Sequence, residues 1–143
     1  MESKLKTVSW VLLALVGVVV LVLSLFSANA AYRQDFAVGG VSISEIATGR
    51  QLVVVGLRGA RGTAAAWAAA WAALFLAVVL GPYRRGDVVT WWGILISLLA
   101  LGAVAGARVP FTGGQAGTGT PLMLLVVVLV ALLLDVKRLS APH

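Results

Sequence analysis

Tyr83-Arg84-Arg85-Gly86-Asp87 is the stretch on which the fold turns. It separates two apolar runs, Thr63 to Leu80 and Val88 to Ala107. At about 1.5 Å per residue, either run as a helix reaches roughly the 30 Å of a bilayer's hydrocarbon. Gly81-Pro82, just ahead of the turn, is expected to break the first helix. Arg84, Arg85 and Asp87 would then hold the connection in water. The pair reads as a transmembrane helical hairpin with a basic turn.

Composition agrees with that reading. The 143 residues are 61% hydrophobic and 11% charged, and the mean hydropathy is +1.04. A soluble domain is about half apolar and carries roughly a quarter charged residues. So little polar cover points to an integral membrane protein of one domain, residues 1–143. The net charge of +6 does not lead to nucleic acid, because the basic residues gather at the ends of apolar runs, where they anchor helices at the headgroups. With no cysteine, disulfide exchange, thiolate metal sites and a cysteine nucleophile are excluded. Richness in alanine, valine, glycine and arginine over lysine suggests a GC-rich bacterial genome.

Upstream of the hairpin, Val8 to Phe26 has no charge, and Ser9 and Ser24 are its only polar residues. Trp10 sits where an indole prefers the interface. Ala28-Asn29-Ala30 after the run matches a signal-peptidase pattern, but the run exceeds the ~7–15 residues of a signal peptide's apolar region. An uncleaved first span is the preferred reading, a cleaved signal the alternative. Between this span and the next, Ser42 and Glu45 fit a capping box, which starts a short helix lying in the interface. The β-branched run Val53-Val54-Val55 leaves 43–57 open between helix and strand. Gly56, Gly59 and Gly62 are expected to break a stiff helix there, or else to let backbones approach closely.

Downstream, Thr120-Pro121 suits a helix start, as N-cap and first helical residue, and opens a fourth apolar run. The expected architecture is all-α: a four-helix membrane bundle with a short interfacial segment between spans 1 and 2. The spans are placed at 8–27, 63–81, 88–107 and 120–136, with an extracytoplasmic loop at 28–62. Lys4, Lys6, Arg84, Arg85, Lys137 and Arg138 then share one side in short segments. By the positive-inside rule both termini face the cytoplasm of a bacterial inner membrane. Trp67 and Trp71, four apart on one face, are read as interfacial belt residues, with stacking on a ligand the alternative, and Trp91 and Trp92 mark the interface again.

The chemistry on offer is narrow. No span carries an ionisable residue in its interior, as proton relays and ion-coupled transport generally require. The single histidine, His143, follows the last apolar run, so no catalytic triad and no histidine-ligated cofactor is expected. No catalytic residue, metal site or cofactor is assigned. On the outer side, Arg58 and Arg61 precede span 2 and Arg108 ends span 3. They form a candidate site for an anionic ligand or lipid headgroup, against the plainer reading of snorkelling and ion pairing with Asp35 and Glu45. Gly93 with Ser97, and Gly102 with Gly106, make small-xxx-small spacings. These are read first as packing against the alanine face of span 2, and second as a homodimer contact.

The string Val55-Gly56-Leu57-Arg58-Gly59-Ala60-Arg61-Gly62 opens the alanine-rich run and is followed by Pro82-Tyr83-Arg84-Arg85-Gly86-Asp87 and Trp91-Trp92. Over about residues 31–107 this resembles the small four-helix membrane proteins related to the DoxX-like group. The resemblance implies a four-helix bundle and transfers no functional residue. The expected role is a non-catalytic accessory or scaffold subunit of a membrane complex, surrounded by lipid and packed on other subunits or a second copy. A binding protein for a lipid, quinone or other apolar molecule is the alternative. An enzyme acting on an apolar substrate comes last.

Overall fold

The computed structural model describes residues 2–38, 40–112 and 119–137, with side chains for 4–38, 40–107 and 122–137. It is mostly helical. Helix α1 spans Glu2–Arg33, a two-residue hairpin pairs β1 (Ala37–Val38) with β2 (Val41–Ser42), and α2 covers Ile43–Ala47. Helix α3 runs Gln51–Val78 and passes into a π-helical turn at Val79–Tyr83, while α4 is Val88–Thr112 and α5 is Gly119–Leu134. Three helices, Lys4–Arg33, Gln51–Tyr83 and Val88–Ala107, are long and apolar enough to cross a membrane; Leu122–Leu134 is a shorter apolar helix. The linker 113–118, Arg138 and His143 lie outside the described residues, as do the side chains of Arg108, Thr120 and Pro121.

The helices overrun the expected spans. Valine-rich α1 stays helical through Ala28-Asn29-Ala30 to Arg33, and α3 already begins at Gln51. The segment 43–57 is therefore helical, in two pieces. Gly56, Gly59 and Gly62 lie inside α3 and do not interrupt it. A glycine costs a helix only ~1 kcal/mol, less than a long run of hydrogen-bonded turns contributes. Gly81-Pro82 does not end α3 either. Proline lacks an N–H and its ring clashes with the carbonyl four residues back. The π-turn widens the helix at that point, and the Arg84 N–H bonds Val79 O, five residues earlier. The chain turns instead at Gly86, whose φ of +100° is open to glycine at little cost. Asp87 then caps α4, with its carboxylate accepting from Val89 N (3.2 Å), Thr90 N (3.1 Å) and the Thr90 hydroxyl.

The chain divides into two compact units, one from its start to Val16 and from Phe75 onward, the other Gly17–Leu74. The first unit has an apolar core of Leu13, Val16, Phe75, Val79, Ile94, Leu98, Val128 and Leu132. Its α4 and α5 pack closely enough that a Cβ on Gly102 would stand 2.9 Å from Leu125 Cδ1. Set into this core is a polar knot. The Ser9 hydroxyl donates to Ala131 O (2.7 Å) and lies 2.7 Å from Tyr83 Oη. A carbonyl only accepts, so the single serine proton goes to Ala131 and the Tyr83 hydroxyl donates to Ser9. Trp91 Nε1 donates to Leu132 O at 3.2 Å. Ser9, Tyr83 and Ala131 are all fully buried, at 0% exposure.

Ser9→Ala should therefore lower stability, because it strips one partner from each of two buried groups. Interhelical hydrogen bonds in membrane proteins average ~0.6 and reach ~1.7 kcal/mol; with two partners affected, a loss of about 1–2 kcal/mol is expected in unfolding of the detergent-solubilised chain. Ser24→Ala is the control, since that hydroxyl bonds only Val20 O in its own helix (2.7 Å). It should cost clearly less.

Candidate functional site

The second unit holds the arginine pair. Arg58 and Arg61 sit three apart on α3, which places them on neighbouring rows of one helix face. Both are half-buried. Arg61 is held on two sides. Its Nε donates to Ser27 Oγ of α1 at 3.3 Å, and its guanidinium carbon lies 4.2 Å from the centre of the Phe36 ring. A planar cation over an aromatic face is attracted by the ring quadrupole. The next residue, Gly62, is buried, and a side chain there would overlap the hydroxyl end of Tyr32. Glycine is thus what lets the end of α1 lie against α3 at this level. The buried Ala31 and Ala65 are small residues that permit close helix approach in the same way.

The acids expected near these arginines are placed otherwise. Asp35 accepts from both the Ser44 backbone N–H (3.2 Å) and the Ser44 hydroxyl, so its charge serves the first turn of α2. Ser42 accepts from Glu45 N at 3.2 Å and is the N-cap foreseen from the Ser42–Glu45 spacing. Helix α2 ends at once, on Thr48 and Gly49 in left-handed conformations. Ile43 and Ala47 are buried beneath it, whereas Ile46 is exposed. Among the described residues no carboxylate lies within ion-pairing distance of Arg58 or Arg61. The Arg58 Nε is buried with no hydrogen-bond acceptor. The backbone of Arg108 belongs to α4 in the first unit, and its side chain lies outside the description.

The other residues singled out separate as follows. Gly102 packs on α5, while a Cβ at Gly93 or Gly106 would meet nothing within 4 Å; Ser97 is half-buried. Trp91 is a core residue, 5% exposed, and only its edge-to-face neighbour Trp92 reaches the surface. Trp67 is strongly exposed and Trp71 half-buried, although they lie four apart. Arg84 of the basic turn stacks over Trp10, 4.9 Å from the ring centre. Asp135, just beyond α5, is 2% exposed. Ser27 and Phe36 were not foreseen as partners of Arg61, nor Tyr32 as the side chain beside Gly62. Ser9 was visible as one of only two polar residues in its run, yet nothing local named Tyr83 as its partner.

Compared with protein-family models, with curated protein sequences and with solved structures, the chain matches none.

The caps of α2 carry a prediction. A helix of five residues has little internal bonding, so losing a cap worth ~0.5–2 kcal/mol should melt it. Asp35→Ala and Ser42→Ala should each speed amide hydrogen exchange across 43–47, with exchange in the middle of α3 unchanged.

Proposed function

We propose that this chain is a multi-pass integral membrane protein acting as a non-catalytic accessory or scaffold subunit. The observation that supports it is the surface of the long helices. Only 22%, 22% and 17% of the apolar windows of α1, α3 and α4 are buried within the protein. Leu25, Phe26, Trp67, Leu74, Val89, Ile96, Leu99 and Val104 stand exposed along them. In water, apolar patches beyond a few hundred Å² are covered by a partner or a membrane. Lipid covers them here, and neighbouring subunits take part of the same surface. Gly93 and Gly106, open on α4, admit another helix at close range.

In this reading α5 is the fourth span. Its 16 residues make about 24 Å of helix, a little less than the ~30 Å of hydrocarbon, and Lys137 follows close behind its last turn. Both termini and the Arg84-Arg85 turn face the cytoplasm of a bacterial inner membrane, by the weight of short basic segments. The DoxX-like resemblance is retained as a proposal of kinship for the bundle.

Two measurements test the proposal separately. The chain should stay in the membrane pellet through alkaline carbonate washing; release into the supernatant would remove the membrane assignment. Native mass spectrometry after mild detergent extraction should show it in a larger assembly with unrelated subunits. A monomer with no co-purifying protein would remove the accessory role and leave the membrane assignment standing.

A further inference from the structure

We propose that Arg58 and Arg61 form a binding site for a phosphate ester, supplied by the headgroup of an anionic phospholipid. Arg61 is oriented before any ligand arrives. Ser27 takes its Nε–H and Phe36 covers one face, which leaves the two Nη groups, four N–H donors in a planar fork. Among the described residues nothing accepts from them. A guanidinium fork matched to tetrahedral oxygens is the recognised chemistry of phosphate binding. Arg58, one turn earlier on the same face, adds a second cation whose buried Nε also has no acceptor.

The surroundings favour an outside anion over an internal one. The unit Gly17–Leu74 contains Arg33, Arg50, Arg58 and Arg61 against Asp35 and Glu45, four positive charges less two negative, a net of +2. Asp35 is tied to Ser44. Asp35, one of the two acids of this unit, thus works as a helix cap, and among the described residues neither arginine has an internal counter-ion. Placement names the source of the phosphate. Thr63 opens the long apolar run two residues after Arg61, so in the membrane reading proposed above, on which the lipid source rests, both arginines stand at headgroup depth. The phosphate chemistry itself does not depend on that reading.

The test uses the full chain in nanodiscs holding equal parts phosphatidylglycerol and phosphatidylcholine. After transfer to detergent, native mass spectrometry reads the lipid retained. Phosphatidylglycerol should be retained in preference to phosphatidylcholine. Arg61→Gln and Arg58→Gln should each reduce that retention about tenfold, the equivalent of one charge-assisted hydrogen bond. Arg61→Lys keeps the charge but loses the fork and the Ser27 bond, so it should fall between. Arg85→Gln in the basic turn should match the parent chain. Circular dichroism of each variant separates lost binding from lost folding, and Arg61→Lys keeps the question answerable if Arg61→Gln does not fold.

A second arm adds sn-glycerol 3-phosphate, the headgroup chemistry without acyl chains, to the detergent-solubilised protein. Failure to displace the lipid supports the lipid source. Binding of the soluble ester that disappears in Arg61→Gln keeps the phosphate site and assigns it to a free ester. Equal retention of the two lipids, or unchanged phosphatidylglycerol retention in folded Arg58→Gln and Arg61→Gln, overturns the proposal. A chain that does not enter nanodiscs at all would instead count against the membrane reading.

Discussion

The last turn of α5 sets the constraint from which the first unit is built. An α-helix leaves its final four carbonyls without an amide partner, and in α5 these belong to residues 131–134. Ala131 and Leu132 are buried, so water does not serve them. An unsatisfied buried carbonyl costs more than a hydrogen bond ordinarily contributes. Donors must therefore come from elsewhere in the chain: Ser9 of α1 reaches Ala131, Trp91 of α4 reaches Leu132, and the Asp135 N–H closes back on Leu132 at 3.1 Å. Tyr83, donating to Ser9, ties the end of the π-turn to the same point. Four separated pieces of sequence are thus fixed by the needs of one helix end.

Apolar runs were legible because their information is local. Length and hydropathy mark α1, α3 and α4 without reference to any neighbour, and Ser42 three before Glu45 marks the start of α2. Pairings across the chain were not. Ser27 and Arg61 lie 34 residues apart, Ser9 and Ala131 lie 122 apart, and no spacing rule joins them. Asp35 reads in the sequence as an ion-pair partner for the arginines, whereas a turn brings it to Ser44 nine residues on, where the Ser44 amide and hydroxyl take it up. Trp91 and Trp92 look alike in sequence. Adjacent residues on a helix point about 100° apart, which sends one into the core and the other outward. Gly81-Pro82 misled for a different reason. Its local preference for breaking a helix is real, but a π-turn absorbs it.

The two units use polar groups in opposite ways. In the first, hydroxyl, indole and carbonyl groups satisfy one another inside, and such closed networks serve to fix helices in one arrangement. In the second, Arg58 and Arg61 of α3 are half-buried, Arg61 is steadied by Ser27 and Phe36, and Asp35 is engaged with Ser44. Orientation without neutralisation is the usual arrangement of a group whose partner comes from outside the chain. A scaffold role and a headgroup contact are compatible, since a subunit held in one depth and tilt by lipid presents its packing faces in a constant register.

The π-turn at Val79–Tyr83 has a consequence for how this sequence can change over evolutionary time. A π-turn is an α-helix with one residue more than the turn requires. Excising any one residue between Val79 and Pro82 would restore regular helix, and by ordinary indel reasoning would look harmless. It would also rotate everything beyond it by about 100°, carrying the Tyr83 hydroxyl away from Ser9 and the Gly86 hinge out of phase with α4. The surplus residue is therefore kept in place by the far end of the chain. Length variation in descendants of this protein should collect in the linkers and spare this turn.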